Sequence, residues 1–218
     1  MRSNRKMVGL LFVLTMFAAG TSVYAGPIYS FHAITSNSPV DGAIGATQVF
    51  MEVLPDLNPA KVQFRFFNTG PLVCSLTGVY FDDGSLLDLA QIINGPGVLF
   101  SQPATPAELP GAHGVVPPFV TTDSFSTSSD NPSQHNGVNP GEELSIVFDL
   151  QLGQTYVNVL DNLTSADLRV GIHIQAFPDG LSEAFINDPT VPAPGAGLLC
   201  LLGAALVERL RRRRMLEN

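Results

Sequence analysis

Tryptophan is absent from this chain, and cysteine nearly so: Cys74 lies in the middle and Cys200 in an apolar run near the C-terminus. No disulfide can therefore close within residues 26–190, and a fold there must rest on packing alone. Positive charge is almost as scarce. Between residues 26 and 190 the only basic side chains are Lys61, Arg65 and Arg169, set against 17 of the chain's 19 Asp and Glu, because Glu208 and Glu217 fall in the tail. Three cations against 17 carboxylates leave this region at −14, while the whole chain stands at −8. Such a surface repels a phosphate backbone, which excludes nucleic acid as a partner, and it favours solubility. Catalytic signatures are missing too. There is no Gly-x-Ser-x-Gly, no His-Glu-x-x-His, no Cys-x-x-Cys and no phosphate-cradling Gly loop.

What is present is concentrated at the two ends. Arg2, Arg5 and Lys6 precede an apolar stretch from Val8 to Ala19, and Val23-Tyr24-Ala25 stands before Gly26. A basic start, a short apolar middle and a small-x-small ending make residues 1–25 a secretory signal peptide, with cleavage expected between Ala25 and Gly26. At the other end, Val191-Pro192-Ala193-Pro194 leads into an apolar run from Gly195 to Val207, followed by Arg209 and the cluster Arg211, Arg212, Arg213 and Arg214. As a helix, the 17 residues from Val191 to Val207 would span about 25 Å, slightly less than the roughly 30 Å of a bilayer's hydrocarbon. Arginines at the end of such a span snorkel to the headgroups and stay on the cytoplasmic side, leaving the rest of the chain outside. The prolines disfavour helix upstream and leave an extended, accessible junction.

A Pro motif, an apolar run and an Arg cluster in that order, over residues 191–214, resemble a PEP-CTERM sorting signal. Ala193 stands where that family usually has Glu. The resemblance implies a substrate of an exosortase, a membrane-embedded cysteine transpeptidase. It also implies transient anchoring in the inner membrane, then delivery to the cell surface or the extracellular matrix. The body of the chain, from about Val62 to Asn187, resembles the extracellular domain of a recurrent group of PEP-CTERM proteins. The stretches Phe66-Phe67-Asn68-Thr69-Gly70-Pro71, Val79-Tyr80-Phe81-Asp82-Asp83-Gly84, Asn136-Gly137-Val138-Asn139-Pro140-Gly141-Glu142 and Leu168-Arg169-Val170-Gly171-Ile172-His173 carry that likeness. It implies shared descent and brings no catalytic residue with it.

Residues 26–190 read as one β domain. Val62, Phe64 and Phe66 alternate with Lys61, Gln63 and Arg65; Leu144, Ile146, Phe148 and Leu150 alternate with Ser145, Val147 and Asp149; Leu168, Val170, Ile172 and Ile174 alternate with Arg169, Gly171 and His173. Period two with one polar side is the pattern of a half-covered strand. Strands are also expected over Tyr29–Thr35, Thr47–Leu54, Leu76–Phe81, Leu86–Ile93, Val98–Ser101, Phe119–Thr122 and Ser182–Asn187. Asp82-Asp83-Gly84 between two apolar runs predicts a hairpin with Gly84 at positive φ, pairing Leu76–Phe81 with Leu86–Ile93. One short helix is expected at Thr155–Leu163, where Tyr156, Val159, Leu160 and Leu163 share a face. The Pro-rich stretch from 102 to 141 predicts a long loop. Many short strands and turns predict an all-β fold, an antiparallel β-sandwich or jelly-roll-like domain, flanked by the signal peptide and a C-terminal transmembrane sorting helix.

Candidate chemistry inside the domain is thin. Asp82, Asp83 and Asp88 surround one turn but lack the alternating ligands and bidentate Glu of a calcium loop. Glu142, Glu143 and Asp130 are a second acidic group that could meet across the fold. His113 and His135 have no partner at ligand spacing, and His173 reads as a surface residue. The function expected is a non-enzymatic, structural or adhesive protein of the surface or the extracellular polysaccharide layer, with no cofactor. A carbohydrate- or calcium-binding module is the alternative, and an exposed aromatic platform would favour it.

Overall fold

The computed structural model describes residues 26–83 and 86–189. The signal peptide with Ala25, the sorting motif Val191–Pro194, the apolar run, the arginine cluster and Gly84 lie outside the described residues.

The chain is mostly β, antiparallel and curled like half of a barrel, with few helices. Strands β1 (Ile28–Tyr29) and β2 (Phe31–Ala33) precede helix α1 (Pro39–Gln48). Then come β3 (Val49–Pro55), β4 (Lys61–Asn68), β5 (Ser75–Asp82), β6 (Leu87–Asn94) and β7 (Phe100–Ser101). After a 3-10 turn at Ala112–Gly114 follow β8 (Ser126–Ser129), a single helical turn α2 (Ser133–Asn136), β9 (Glu143–Leu150), α3 (Tyr156–Ser165), β10 (Arg169–Gln175) and β11 (Glu183–Asn187). One sheet has the order β1-β3-β4-β9-β6 and the other β2-β11-β10-β5-β8-β7. Among the described residues, no helix is long and apolar enough to cross a membrane.

The inner faces of the two sheets share one core. Val62, Phe64 and Phe66 of β4 and Leu144, Ile146 and Phe148 of β9 meet Val79 and Phe81 of β5 and Val170, Ile172 and Ile174 of β10, all buried. These are the apolar members of the alternating runs, and the strand period turns them to the same side. Phe81 joins the layers: its ring packs edge-to-face on Phe64 at 5.1 Å and on Phe148 at 4.7 Å between centroids. α3 closes part of this core with Val159 and Leu163, and Thr155 caps its start by a reciprocal pair of bonds with Asn158.

Four expectations need correction. The strands expected on either side of Asp82-Asp83-Gly84 exist, but β5 and β6 belong to different sheets, so no hairpin joins them. Asp83 turns inward there, taking the Leu87 amide at 2.7 Å and the Thr122 hydroxyl at 3.2 Å, and carries the chain across the core. The domain holds more than one helix, α1 being the one the sequence concealed: Gly42 and Gly45 weaken its pattern, while Ser38 at the N-cap and Pro39 at the first position start it. Residues 119–122 form no strand; Phe119 instead packs on the outside of the second sheet. The stretch from 102 to 125 is not a free loop. Ala104, Leu109, Ala112 and Phe119 lie over Tyr80, Ala184 and Ile186 in a second, smaller core, and Gly171 admits the Leu109 and Phe119 side chains where a Cβ would overlap them.

Candidate functional site

Gly26, the residue expected to follow the signal cleavage, is the first described residue, and its amide donates to Glu52 Oε1 at 3.0 Å. The acidic groups singled out in the sequence are scattered by the fold. Asp82 is paired with Arg169, and Asp83 serves the crossing between sheets with its carboxyl held above the usual range, mainly by burial. Glu142 accepts from the Asn139 amide at 2.9 Å, Glu143 pairs with Arg65, and Asp130 accepts from Ser101. None of these meets another across the fold to make a joint cation site. Among the described residues, no group of three His, Cys, Asp or Glu is arranged to hold a metal ion. His113 faces Glu108 at 3.4 Å on an exposed turn, and His135 is exposed. His173 is half-buried, and that burial lowers its pKa, so it is no simple surface residue.

The two sheets present their outer faces differently. The second is covered by the 102–125 stretch. The first carries, on β3, β4 and β9, a row that the strand period turns outward. Register sets the neighbours: Phe50 lies opposite Phe67, Glu52 opposite Arg65, Arg65 opposite Ser145, and Lys61 opposite Asp149. Phe50 and Phe67 are half-exposed, with ring centroids 5.8 Å apart and planes inclined by 32°. The Arg65 guanidinium lies 5.1 Å from the Phe67 ring centre, donates from Nε to Glu52 at 3.0 Å and from Nη1 to Glu143 at 3.1 Å. Gln63 donates to the Ser145 hydroxyl at 2.8 Å, and Lys61 pairs with Asp149 at 2.5 Å. Two of the domain's three cations thus stand on one strand, each facing a carboxylate. The third, Arg169, grips Asp82 and the carbonyls of Pro117 and Pro118.

No protein-family model, no curated protein and no solved structure matches the chain.

Chemically, the row on the first sheet offers two adjacent aromatic edges next to fixed donors and acceptors. A sugar ring has the complementary halves: C–H groups that lie on an aromatic face and hydroxyls that bond to amide, hydroxyl and carboxylate groups. This row is poorly marked in the sequence, because Phe50 and Phe67 are the two phenylalanines of β3 and β4 that break the inward pattern. Phe67 follows the buried Phe66 directly, and that doubled aromatic is the signal that one ring must point outward.

A second cluster sits at the start of α1. Asp41 is buried, and burial first, then the neighbouring Asp179 carboxyl, pushes its pKa up to about 6. Asp179 moves the other way, held down chiefly by the Leu181 amide, which donates to it at 3.0 Å. Glu183, also buried, accepts from the Ser38 amide at 2.5 Å and from the Thr35 hydroxyl. These carboxylates join α1 to the β10–β11 turn.

Proposed function

We propose that this chain is an exported, non-enzymatic surface or matrix protein built on a jelly-roll-like β-sandwich. Residues 1–25 thread it outward, and the apolar run within 191–214 halts in the inner membrane. The arginines resist transfer, at a cost of several kcal/mol. An exosortase-type enzyme then cuts beside Val191–Pro194 and leaves the domain in the extracellular polysaccharide layer. The observation that carries the reading is the fixed order of Pro motif, apolar run and Arg cluster directly after a self-contained β body. Replacing Arg211–Arg214 with Ser should weaken membrane retention and spoil processing. Intact-mass measurement on secreted protein should find the tail missing; residues 195–218 still attached would refute the sorting reading.

A second reading, glycan binding on the first sheet, is favoured by the Phe50–Phe67 pair beside Arg65, Glu143 and Gln63. Phe67→Ala should abolish retardation of the mature domain in polysaccharide-containing native gels while leaving its thermal midpoint within a few degrees. Equal mobility of the parent with and without every polysaccharide tested would leave the structural role standing alone.

A further inference from the structure

We infer that Glu52 is the receptor for the α-ammonium group that signal cleavage creates on Gly26, so that export completes a charge cluster the uncut chain leaves one cation short. The inference rests on the reading of residues 1–25 as a leader. Glu52 lies on the outer side of β3 yet is 5% exposed. Its Oε2 is taken by Arg65 and its Oε1 by the Gly26 nitrogen at 3.0 Å. Arg65 is shared with Glu143, so two carboxylates face one guanidinium and the group carries a surplus negative charge.

The backbone holds Gly26 in place. Val53 donates to the Pro27 carbonyl at 3.1 Å, and β1 pairs Ile28 with Glu52. A Cβ on residue 26 would overlap the Val53 carbonyl oxygen, which also accepts from the Tyr156 hydroxyl at 2.9 Å. Only glycine fits. Close approach to that carbonyl is what demands it.

Before cleavage the Gly26 nitrogen is a neutral amide with one hydrogen. Hydrolysis of the Ala25–Gly26 bond consumes one water: Ala25 departs as a carboxylate with the leader, and the Gly26 nitrogen is left as an ammonium. The same atom, already beside Glu52, then supplies the missing positive charge. A charged donor on a mostly desolvated carboxylate is worth more than a neutral one, and it fastens β1, a two-residue edge strand, to the sheet.

The test uses the leaderless full chain in detergent, made from one fusion in two forms. One begins at Gly26; the other carries a Ser-Ala extension that keeps the residue 26 nitrogen an amide. The form beginning at Gly26 should melt roughly 2–5 °C higher, and Glu52→Gln should erase the gap. The sign with pH is fixed. An ammonium facing a carboxylate has its pKa raised above the free value of about 8, so the gap should be full below that pH and close as pH rises beyond it. The groups around the ammonium are Glu52 on β3, Arg65 on β4, Glu143 on β9 and Tyr156 on α3; burial holds the Tyr156 phenol above its ordinary value, so it stays neutral through that change. Equal melting of the two forms, or a gap unchanged in Glu52→Gln, overturns the docking. Exported protein that starts at a residue other than Gly26 overturns its premise instead, and intact mass distinguishes the two failures.

Discussion

Gly45 occupies the middle of α1, where alanine would ordinarily gain about 1 kcal/mol of helix propensity. Here the sign should reverse. The three atoms nearest to a Cβ at that position all belong to the Phe185 ring, which is fully buried on β11 and has nowhere to turn. Gly45→Ala should therefore lower stability by about 1–2 kcal/mol, overpacking outweighing propensity. An unchanged or raised urea midpoint would show that the helix can shift away from the sheet. Asp41, on the same helix, predicts a pH effect. Its folded pKa of about 6 lies above the ordinary aspartate value of 3.8, so the folded state holds the proton more tightly. Ionisation then costs stability above pH about 6, and the cost fades as pH falls toward about 4, where both states are protonated. Asp41→Asn, which resembles the protonated acid, should melt higher than the parent at neutral pH, with the advantage shrinking on acidification. A gap that stays constant between pH 7 and pH 4 would contradict the assignment.

At the level of strands and helices, β4, β9 and β10 were legible because a buried apolar residue recurs at every second position along them, although burial alternates strictly only in β4. α3 was legible from its i, i+3, i+4, i+7 face. What sequence could not convey was partnership. Asp82-Asp83-Gly84 has the composition of a hairpin turn, yet Asp83 spends its carboxylate on Leu87 and Thr122, and the chain passes from one sheet to the other. Turn chemistry is local, whereas the choice of sheet is made by Phe81 meeting Phe64 and Phe148 across the core. The 102–125 cover was illegible for another reason: Ala104, Leu109, Ala112 and Phe119 follow neither period, because an irregular chain can place an apolar side chain at any spacing. Of the outer row, the polar side of β4 was legible, but its aromatic pair needed the register of β3. Arg169 is the clasp of the cover, bonding to the Pro117 and Pro118 carbonyls with its guanidinium 5.4 Å from the Phe119 ring centre. Arg169→Ala should loosen that stretch, and limited proteolysis should cut within 102–125 several times faster than in the parent. Cuts appearing first elsewhere would assign the restraint to the small core alone.

For the molecule as a whole, charge imbalance is the governing quantity. Lys61, Arg65 and Arg169 are each engaged with a carboxylate, and most of the 17 acids between 26 and 190 have no Lys or Arg partner. Salt weakens those three pairs but relieves many more repulsions, with a Debye length of about 10 Å at 0.1 M. The leaderless protein should therefore melt several degrees higher in about 0.5 M NaCl than in dilute buffer; a fall would mean that the ion pairs outweigh the repulsion. The ends of the body are also close together. Ser30 donates to Asp188 at 2.6 Å, and the Asp188 amide returns to the Ser30 carbonyl at 2.9 Å. β11 ends one residue earlier, held by four residue pairs to β10 on one side and three to β2 on the other. If a pull acts on the tail before it is cut, it reaches the body at the end of β11, Asn187. Ladders on both sides then hold the strand against that pull.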